Sequence, residues 1–374
     1  MKKLYTLFSL LIVASLLLVA CAKAEPVAEA PVAEAPAEEV VEEVVEEAQT
    51  FPDFKACLVT DAAGIGDKSF NDAVWGGLQK LVADYGIDAR YIESKSADDY
   101  APNLEACVDA ESDLILCVGF MMADACQVSV EANPNIKYIG IDINWLFYDN
   151  FIGVDAYMDQ NSFQAGYLSA GMTETGIVAT YTGFFGPVVQ IFMDGYYMGV
   201  QEYNRVHGTD VKVLGYDPAN MDLATAIGSW SDMDKGRQVT ESFMDNGADI
   251  VYPVCGNVGT ASAAAMQDRG YGYIFGMDQD WTLTNPQLSA QILGSALKKM
   301  EVPVYEAVEA WLLEGKWESG NFVLTMENGG AVLAFNDAID VPADLRAEVE
   351  ALAPRIISGE IQTLSDEYLA VNPR

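Results

Sequence analysis

The sequence predicts an α/β fold in which two doubly wound parallel sheets form two lobes, joined by a hinge that the chain crosses more than once. The 374 residues suffice for about two domains, and a hydrophobic content of 51% can fill their cores. Two successive series of short β-branched runs alternate with longer amphipathic runs, which is the pattern of βαβ units. Small and polar residues follow many of the short runs, where sheets of this kind bind ligands.

The formal net charge is −36 at pH 7, and it is unevenly distributed. Residues 21–50 hold nine Glu and one Lys, whereas residues 1–20 hold two Lys and no acid. Residues 51–374 therefore keep 47 acidic and 17 basic residues, a net charge of −30. Because nucleic acids are bound through clustered Lys and Arg, this balance excludes a nucleic-acid partner.

The first 50 residues predict an exported, anchored protein. Two lysines precede an apolar stretch that is too short to span a membrane and is typical of a signal peptide over residues 1–20. Leu18-Val19-Ala20-Cys21 resembles the lipobox of bacterial lipoproteins, which predicts a lipid on Cys21. The alternative is an ordinary signal with an unrelated cysteine. Residues 21–50 lack aromatic residues and are predicted to be a disordered acidic tether. The predicted location is extracytoplasmic, at the outer face of the plasma membrane or in the periplasm.

The first α/β series occupies residues 51–162, which we assign to lobe 1. Its predicted strands are 56–60, 89–93, 114–118, 138–142 and 151–154, and its predicted helices are 71–85, 103–110 and 123–132. The end of a strand is followed by Asp61, by Gly119 and by Asp142. Since the carboxyl ends of parallel strands share one edge of the sheet, these residues are expected to lie together.

The second series occupies residues 163–296, which we assign to lobe 2. It is predicted to contain strands 177–181, 211–216, 250–254 and 273–277, and helices 163–172, 190–203, 235–246 and 260–269. Gly256 and Asp278 follow two of these strands. Beyond them the alternation breaks: 291–297 reads as a strand, 302–314 as a helix, and 322–325 with 331–335 as a hairpin-like pair. We assign residues from about 297 to 318 to lobe 1 and from about 319 to 374 to lobe 2.

Several segments carry a family resemblance. Residues 59–71, Val-Thr-Asp-Ala-Ala-Gly-Ile-Gly-Asp-Lys-Ser-Phe-Asn, match the strand, T-D, glycine turn and D-x-S-F-N opening of the basic-membrane-protein family. Further matches follow in order at 165–168, 235–236, 246–252, 256–259, 276–280 and 295–298. The chain thus resembles lipoprotein substrate-binding proteins of ABC transporters, a family that includes purine nucleoside receptors. The resemblance implies a type I periplasmic-binding-protein-like fold, a monomer, a permease as membrane partner and no cofactor.

The resemblance also nominates ligand-binding residues. It implies that Phe70 and Trp230 stack on the two faces of a base, each stack contributing about 1–3 kcal/mol. It implies hydrogen bonds to the base edge or nearby groups from Asp61, Asn71 and Asp142. The ribose hydroxyls are assigned to Asp278 and Lys298, and Gly256 is expected to approach the ligand with its backbone.

Each of these residues has a structural alternative. Phe70 and Trp230 are also compatible with the hydrophobic core, and Asp61 and Asp278 with turns at strand ends. Lys298 is also compatible with the surface, beside Lys299. Asp67 and Ser69 are expected to cap the helix that begins near residue 70.

Cysteine pairing stays open at this level. Apart from Cys21 the chain has five cysteines, and an odd number in an exported protein leaves at least one thiol free. Cys57, Cys117 and Cys255 lie in or beside predicted buried strands and are expected to act as small apolar residues. A disulfide between Cys107 and Cys126, on consecutive helices, is the alternative to free thiols.

Motifs for catalysis are weak. Asp67 interrupts a phosphate-loop pattern at residues 64–69, and His207, the only histidine, reads as part of a helix end. No zinc-type spacing of Cys and His is present in the sequence, so we predict neither a metal site nor an enzyme. The leading hypothesis is a nucleoside receptor for an ABC transporter. The alternatives are the same receptor for a sugar or another small polar solute, a nucleoside-processing enzyme, and a surface adhesin.

Overall fold

The computed structural model describes residues 49–373. The predicted signal peptide, Cys21 and nearly all of the predicted tether lie outside the described residues. The strands are β1 Lys55–Val59, β2 Asp88–Ile92, β3 Leu114–Val118, β4 Lys137–Ile141, β5 Phe151–Ala156, β6 Ile177–Thr182, β7 Lys212–Leu214, β8 Ile250–Val254, β9 Tyr273–Asp278, β10 Ile292–Lys298, β11 Gly320–Leu324 and β12 Ala331–Phe335. The helices are α1 Phe70–Tyr85, α2 Tyr100–Asp109, α3 Ala123–Ala132, α4 Asp159–Met172, α5 Pro187–His207, α6 Met233–Asp245, α7 Gly259–Arg269, α8 Trp281–Thr284, α9 Glu301–Glu314, α10 Ala343–Ile357 and α11 Asp366–Val371.

The strands form two six-stranded sheets of matching order. The first sheet runs β11-β5-β4-β3-β1-β2 and the second runs β12-β10-β9-β8-β6-β7. Neighbouring strands are parallel, with β12 antiparallel to β10. The predicted class, α/β with two doubly wound parallel sheets, is therefore confirmed. Within residues 49–373 no helix is both long enough and apolar enough to cross a bilayer.

Burial explains why the central strands could be read from the sequence. All five residues of β3 are buried, as are all five of β8. A parallel strand covered by helices on both faces needs apolar or small residues at every position, not an alternating pattern. Edge strands differ, since all five residues of β2 are exposed or half-buried.

The chain passes between the sheets at three places in the described region: between β5 and α4, between β10 and α9, and between β11 and β12. Helix α9 packs on α1, beside the first sheet, whereas α4 packs on α5 and α10. The α4–α5 contact needs glycine, because a Cβ at Gly166 would lie 1.9 Å from the backbone oxygen of Tyr196. The predicted multiple crossing thus lies where the two sheets join.

The C-terminal portion departs from the prediction in one respect. The strands predicted at 322–325 and 331–335 do not form a hairpin, because β11 pairs with β5 in the first sheet and β12 with β10 in the second. The boundary placed at about residue 319 therefore precedes a strand of the first sheet. The hairpin reading assumed that strands close in sequence pair with each other, whereas here each strand extends a different sheet.

Two disulfides connect the first sheet to its helices. Cys57 in β1 is bonded to Cys107 in α2, and Cys117 in β3 is bonded to Cys126 in α3. The alternative pairing of Cys107 with Cys126 is wrong, and so is the expectation that Cys57 and Cys117 act as free apolar residues. β1 and β3 are adjacent strands, and their cysteines face α2 and α3. All four cysteines therefore lie in one buried cluster. Cys255 is free and buried, as the odd count required.

Candidate functional site

Strand ends from both sheets surround one cleft. Asp61 follows β1 and Asp142 follows β4, while Asp278 ends β9 and Lys298 ends β10. The residues around the cleft enclose about 630 Å³ that is not filled by protein atoms, a volume that includes open solvent. Seven of the eight residues nominated from the sequence line it: Asp61, Phe70, Asp142, Trp230, Gly256, Asp278 and Lys298. Their role in binding a ligand stays a prediction.

The centre of the cleft holds a buried ion pair. Lys298 is 2% exposed, and its Nζ donates to Oδ1 of Asp142, which comes from the other sheet. The alternative reading of Lys298 as a surface lysine is therefore wrong. Burial raises the pKa of Asp142, although the Lys298 ammonium opposes this effect. An ammonium has three donors, so the pair leaves Lys298 with hydrogen-bonding capacity for a ligand.

Asp278 supplies a second carboxylate beside this pair. Its Oδ2 accepts a hydrogen bond of 2.6 Å from the Ser69 hydroxyl, whereas its buried Oδ1 has no hydrogen-bond partner among the described residues. Burial raises the pKa of Asp278 to about 7, against the opposing effects of Lys298 and of the Ser69 hydrogen bond. A buried oxygen without a donor is costly in the free protein, and a ligand hydroxyl would remove that cost.

Asp142 and Asp278 occupy corresponding places in the two sheets. β4 and β9 are each the third strand in the order of their sheet; Asp142 follows β4, and Asp278 ends β9. Both residues have a left-handed backbone, with φ of 60° for Asp142 and 65° for Asp278. Aspartate tolerates this region better than most residues, but the conformation still costs energy. Such conformations concentrate at functional sites, and here the turn places each carboxylate at the cleft instead of continuing the strand.

Asp61 is held by the first turn of α1. Its Oδ1 accepts hydrogen bonds from the Ala63 backbone, at 2.9 Å, and from Nδ2 of Asn71, at 2.8 Å. Burial raises the pKa of Asp61 to about 6, although both hydrogen bonds oppose the rise. Asn71 Nδ2 also donates to Asp67, and Asn71 Oδ1 accepts from the Asp61 backbone. The structure therefore places Asn71 behind Asp61, away from the cleft wall, although it was predicted to bind the ligand.

Helix α1 is capped by Asp67 alone. The Asp67 carboxylate accepts from the backbone N–H groups of Ser69, Asn71 and Asp72 at 2.8–3.1 Å. The expected capping by Asp67 is confirmed, whereas the side chain of Ser69 makes no capping hydrogen bond. Asp67 satisfies the orphan N–H groups of the first turn, which leaves the Ser69 hydroxyl available elsewhere.

Aromatic side chains line the cleft on both sides. Phe70, in the first turn of α1, and Trp230 are half-buried at the cleft instead of enclosed in the core. The indole Nε1 of Trp230 donates to the Met121 sulfur at 3.4 Å, which links the two sheets across the cleft. Lys298 Nζ lies 5.3 Å from the centre of the Phe70 ring, within reach of a cation–π interaction. The site thus combines the flat apolar faces of Phe70 and Trp230 with the charged pair of Lys298 and Asp142.

Sequence reasoning missed part of the wall. Phe120 and Met121 follow β3 after Gly119, so the strand-end rule could have nominated them. Val188, Val189 and Phe192 come from the start of α5 and carry no such signal, because only the approach of the sheets brings that helix to the cleft. His207 lies in the last turn of α5 and contacts Tyr167 and Glu348, outside the cleft wall. Among residues 49–373 no three His, Cys, Asp or Glu side chains are arranged to hold a metal ion.

Comparison with known proteins adds a family and a function class. The sequence pattern of the Bmp family, described as "ABC transporter substrate-binding protein PnrA-like", matches residues 54–366. "Basic membrane protein A1" of Borrelia garinii subsp. bavariensis is 28% identical over 313 residues, which cover 82% of this chain and 87% of that protein. "ABC transporter nucleoside-binding protein BmpA" of Lactococcus lactis subsp. cremoris is 27% identical over 327 residues, 83% and 88% of the two chains.

A solved structure shows the same fold. A solute-binding protein of an ABC transporter system from Aeropyrum pernix K1 superposes with a TM-score of 0.72 at 24% identity. The superposition covers 83% of this chain and 92% of that structure. The shared architecture extends over both sheets, and at this identity it concerns the fold and not the ligand.

Proposed function

Because this chain belongs to the Bmp family of PnrA-like ABC transporter substrate-binding proteins, we propose that its cleft binds a purine nucleoside. Family membership makes it an extracytoplasmic binding protein with a small-molecule ligand and permease partners, and not an enzyme. The finer proposal names the ligand class. It is carried by one observation: half-buried aromatic rings and a buried Asp142–Lys298–Asp278 group line the same cleft.

The two parts of a nucleoside need different partners. A purine is a flat π surface, and Phe70 with Trp230 would cover its faces. A ribose carries vicinal hydroxyls that donate to carboxylates and accept from an ammonium. Asp278 Oδ1 lacks a hydrogen-bond partner among the described residues, and Lys298 retains donors beyond the one given to Asp142. These groups would hold the ribose, while Asp61 would accept from the base edge.

Binding would close the cleft. We propose that each sheet with its helices acts as one lobe and that the three chain crossings act as the hinge. Residues of both sheets line the cleft, so a ligand that contacts both favours the arrangement in which the sheets approach.

Isothermal titration calorimetry with inosine, guanosine, adenosine and free ribose tests the ligand class. We expect each purine nucleoside to bind at least about 5-fold more tightly than ribose, since one stacked base contributes roughly 1–3 kcal/mol. Tight binding of ribose or another sugar without nucleoside binding would refute the nucleoside proposal and favour the sugar alternative. Mass spectrometry of ligand released from natively purified protein identifies the bound solute independently.

Attachment to the membrane is a separate proposal. It is supported by the predicted signal peptide, the Leu18-Val19-Ala20-Cys21 match and the acidic segment before the folded part. Mass spectrometry of the N-terminal peptide of the membrane-extracted protein should show residues 1–20 removed and a diacylglyceryl group on Cys21. An unmodified Cys21, or a different N-terminus, would disprove the anchor. Cys21→Ser should release the protein to the soluble extracytoplasmic fraction, whereas Cys255→Ser should not.

A further inference from the structure

Ser69 occupies the position of a helix cap but makes a different contact. It immediately precedes α1 and is fully buried, and Asp67 performs the capping in its place. Its hydroxyl donates instead to Oδ2 of Asp278 at 2.6 Å, across 209 residues of sequence and from one sheet to the other. A serine that is not needed for the cap is free to serve this contact.

A second hydrogen bond reinforces the same junction. The Gln279 side-chain Nε2 donates to the backbone oxygen of Ser69 at 2.9 Å. Asp278 and Gln279 lie at the carboxyl end of β9, in the second sheet, whereas Ser69 belongs to the segment that follows β1 of the first sheet. These two hydrogen bonds therefore exist only while the two sheets approach each other at this wall.

Ser69 also determines how Asp278 is presented. The hydroxyl occupies Oδ2, and Oδ1 of the same carboxylate stays without a hydrogen-bond partner among the described residues. Asp278 lines the cleft, whereas Ser69 does not. Ser69 can thus influence a ligand through Asp278 and through the approach of the sheets, without touching the ligand.

We propose that Ser69 is a positioning residue that latches the two sheets together over the ligand and orients Asp278, and so slows ligand release. This inference rests on the proposed function for its ligand, but the latch itself joins only protein groups. A hydrogen bond to a carboxylate contributes enough that its loss should accelerate dissociation about 10- to 100-fold. Association, which begins before the sheets meet, should change by less than about 3-fold.

Stopped-flow kinetics of Ser69→Ala with inosine and guanosine tests the latch. We expect faster dissociation by the same factor for both nucleosides, because Ser69 does not contact the base. Ser69→Thr keeps the hydroxyl and should restore slow dissociation. Ser96→Ala is the matched control, since Ser96 also precedes a helical turn but is exposed and has no contact with Asp278. Thermal unfolding followed by circular dichroism confirms that each variant is folded.

A measurement without ligand separates this inference from the proposed function. Spin labels at Val128→Cys in α3 and Leu283→Cys in α8 report the distance between the two halves, since both positions are exposed and Cys255 is buried. Ser69→Ala should shift the ligand-free distance distribution to longer values, and Ser69→Thr should not. If the unaltered protein binds no nucleoside, the proposed function is refuted, and the ligand-free shift in distance then tests the latch by itself. Unchanged distances, or an effect on association or on one nucleoside only, would overturn it.

Discussion

Lys298→Met should lower the free energy of unfolding at pH 8 by about 3–5 kcal/mol, the cost of removing one partner of a buried ion pair. Lys298 is 2% exposed and pairs with Asp142, and Asp278 lies within its electrostatic reach. Methionine has nearly the same length, so the cavity is small and the loss reports mainly the uncompensated carboxylates. Urea unfolding followed by tryptophan fluorescence measures it.

The loss should be much smaller at pH 5. Burial already raises the pKa of Asp278 from 3.8 to about 7, and that of Asp142 in the same direction. Between the unfolded and the folded pKa the folded protein binds more protons, so each group makes stability fall as the pH rises through this window. Removing the ammonium raises both pKa values further, which deepens the fall at pH 8. At pH 5 the folded protein keeps the Asp278 carboxyl largely neutral, and the missing ammonium matters less to it.

The neighbouring lysine provides the control. Lys299 has a side chain that is 39% exposed, and its Nζ lies 3.9 Å from Glu301, a surface contact that contributes about 0–1 kcal/mol. Lys299→Met should therefore change stability by less than about 1 kcal/mol and leave nucleoside binding intact. Equal losses for the two variants, or a Lys298→Met loss that does not depend on pH, would contradict the buried-pair interpretation.

Phe70→Ala and Trp230→Ala should each weaken purine nucleoside binding by roughly 5- to 150-fold, because a stacked base contributes about 1–3 kcal/mol. Binding of free ribose should fall by less than about 3-fold, since ribose has no face for the rings to cover. Calorimetry with guanosine and ribose measures both affinities. If the base stacks between the two rings, the loss of binding free energy in the double variant should differ from the sum of the losses in the two single variants, because both rings cover the same base.

An aromatic residue away from the cleft serves as control. Phe147 is 71% exposed and does not line the cleft, so Phe147→Ala should leave both affinities unchanged. Circular dichroism at the assay temperature verifies that the half-buried Phe70 and Trp230 variants stay folded. Equal weakening of guanosine and ribose would show that the rings act on the shape of the cleft and not on a base.

Much of the fold was readable in advance because its signals are local. β3 and β8 lie at the predicted residues, and α3 also has its predicted bounds. A buried parallel strand is a continuous apolar run, and a helix of the outer layer has a periodic apolar face. The pairing of β11 and β12 was misjudged because nothing local distinguishes two neighbours in a hairpin from two strands that extend different sheets.

The candidate site was nominated for an equally physical reason. Parallel strands of one sheet end at the same edge, so Asp61 and Asp142 are brought together once the strand ends are known. Asp278 lies at the corresponding edge of the second sheet and reaches the same cleft because the two sheets approach each other. The amide of Asn71 could not be assigned in this way, because its hydrogen bonds to Asp61 and Asp67 depend on how the first turn of α1 folds back. Adjacent positions in one motif therefore take different roles, with Phe70 at the wall and Asn71 behind it.

Local chemistry in the chain determined the alternation of strands and helices, the polar residues at strand ends, the family resemblance and the odd count of cysteines. Tertiary structure alone decided which distant residues meet: Lys298 with Asp142, Ser69 with Asp278, and Cys57 with Cys107. Such pairs are separated by 50–209 residues, a distance at which sequence periodicity carries no information. The raised pKa of Asp278 also arises only on packing, because a carboxylate loses its hydration when two sheets and their helices enclose it.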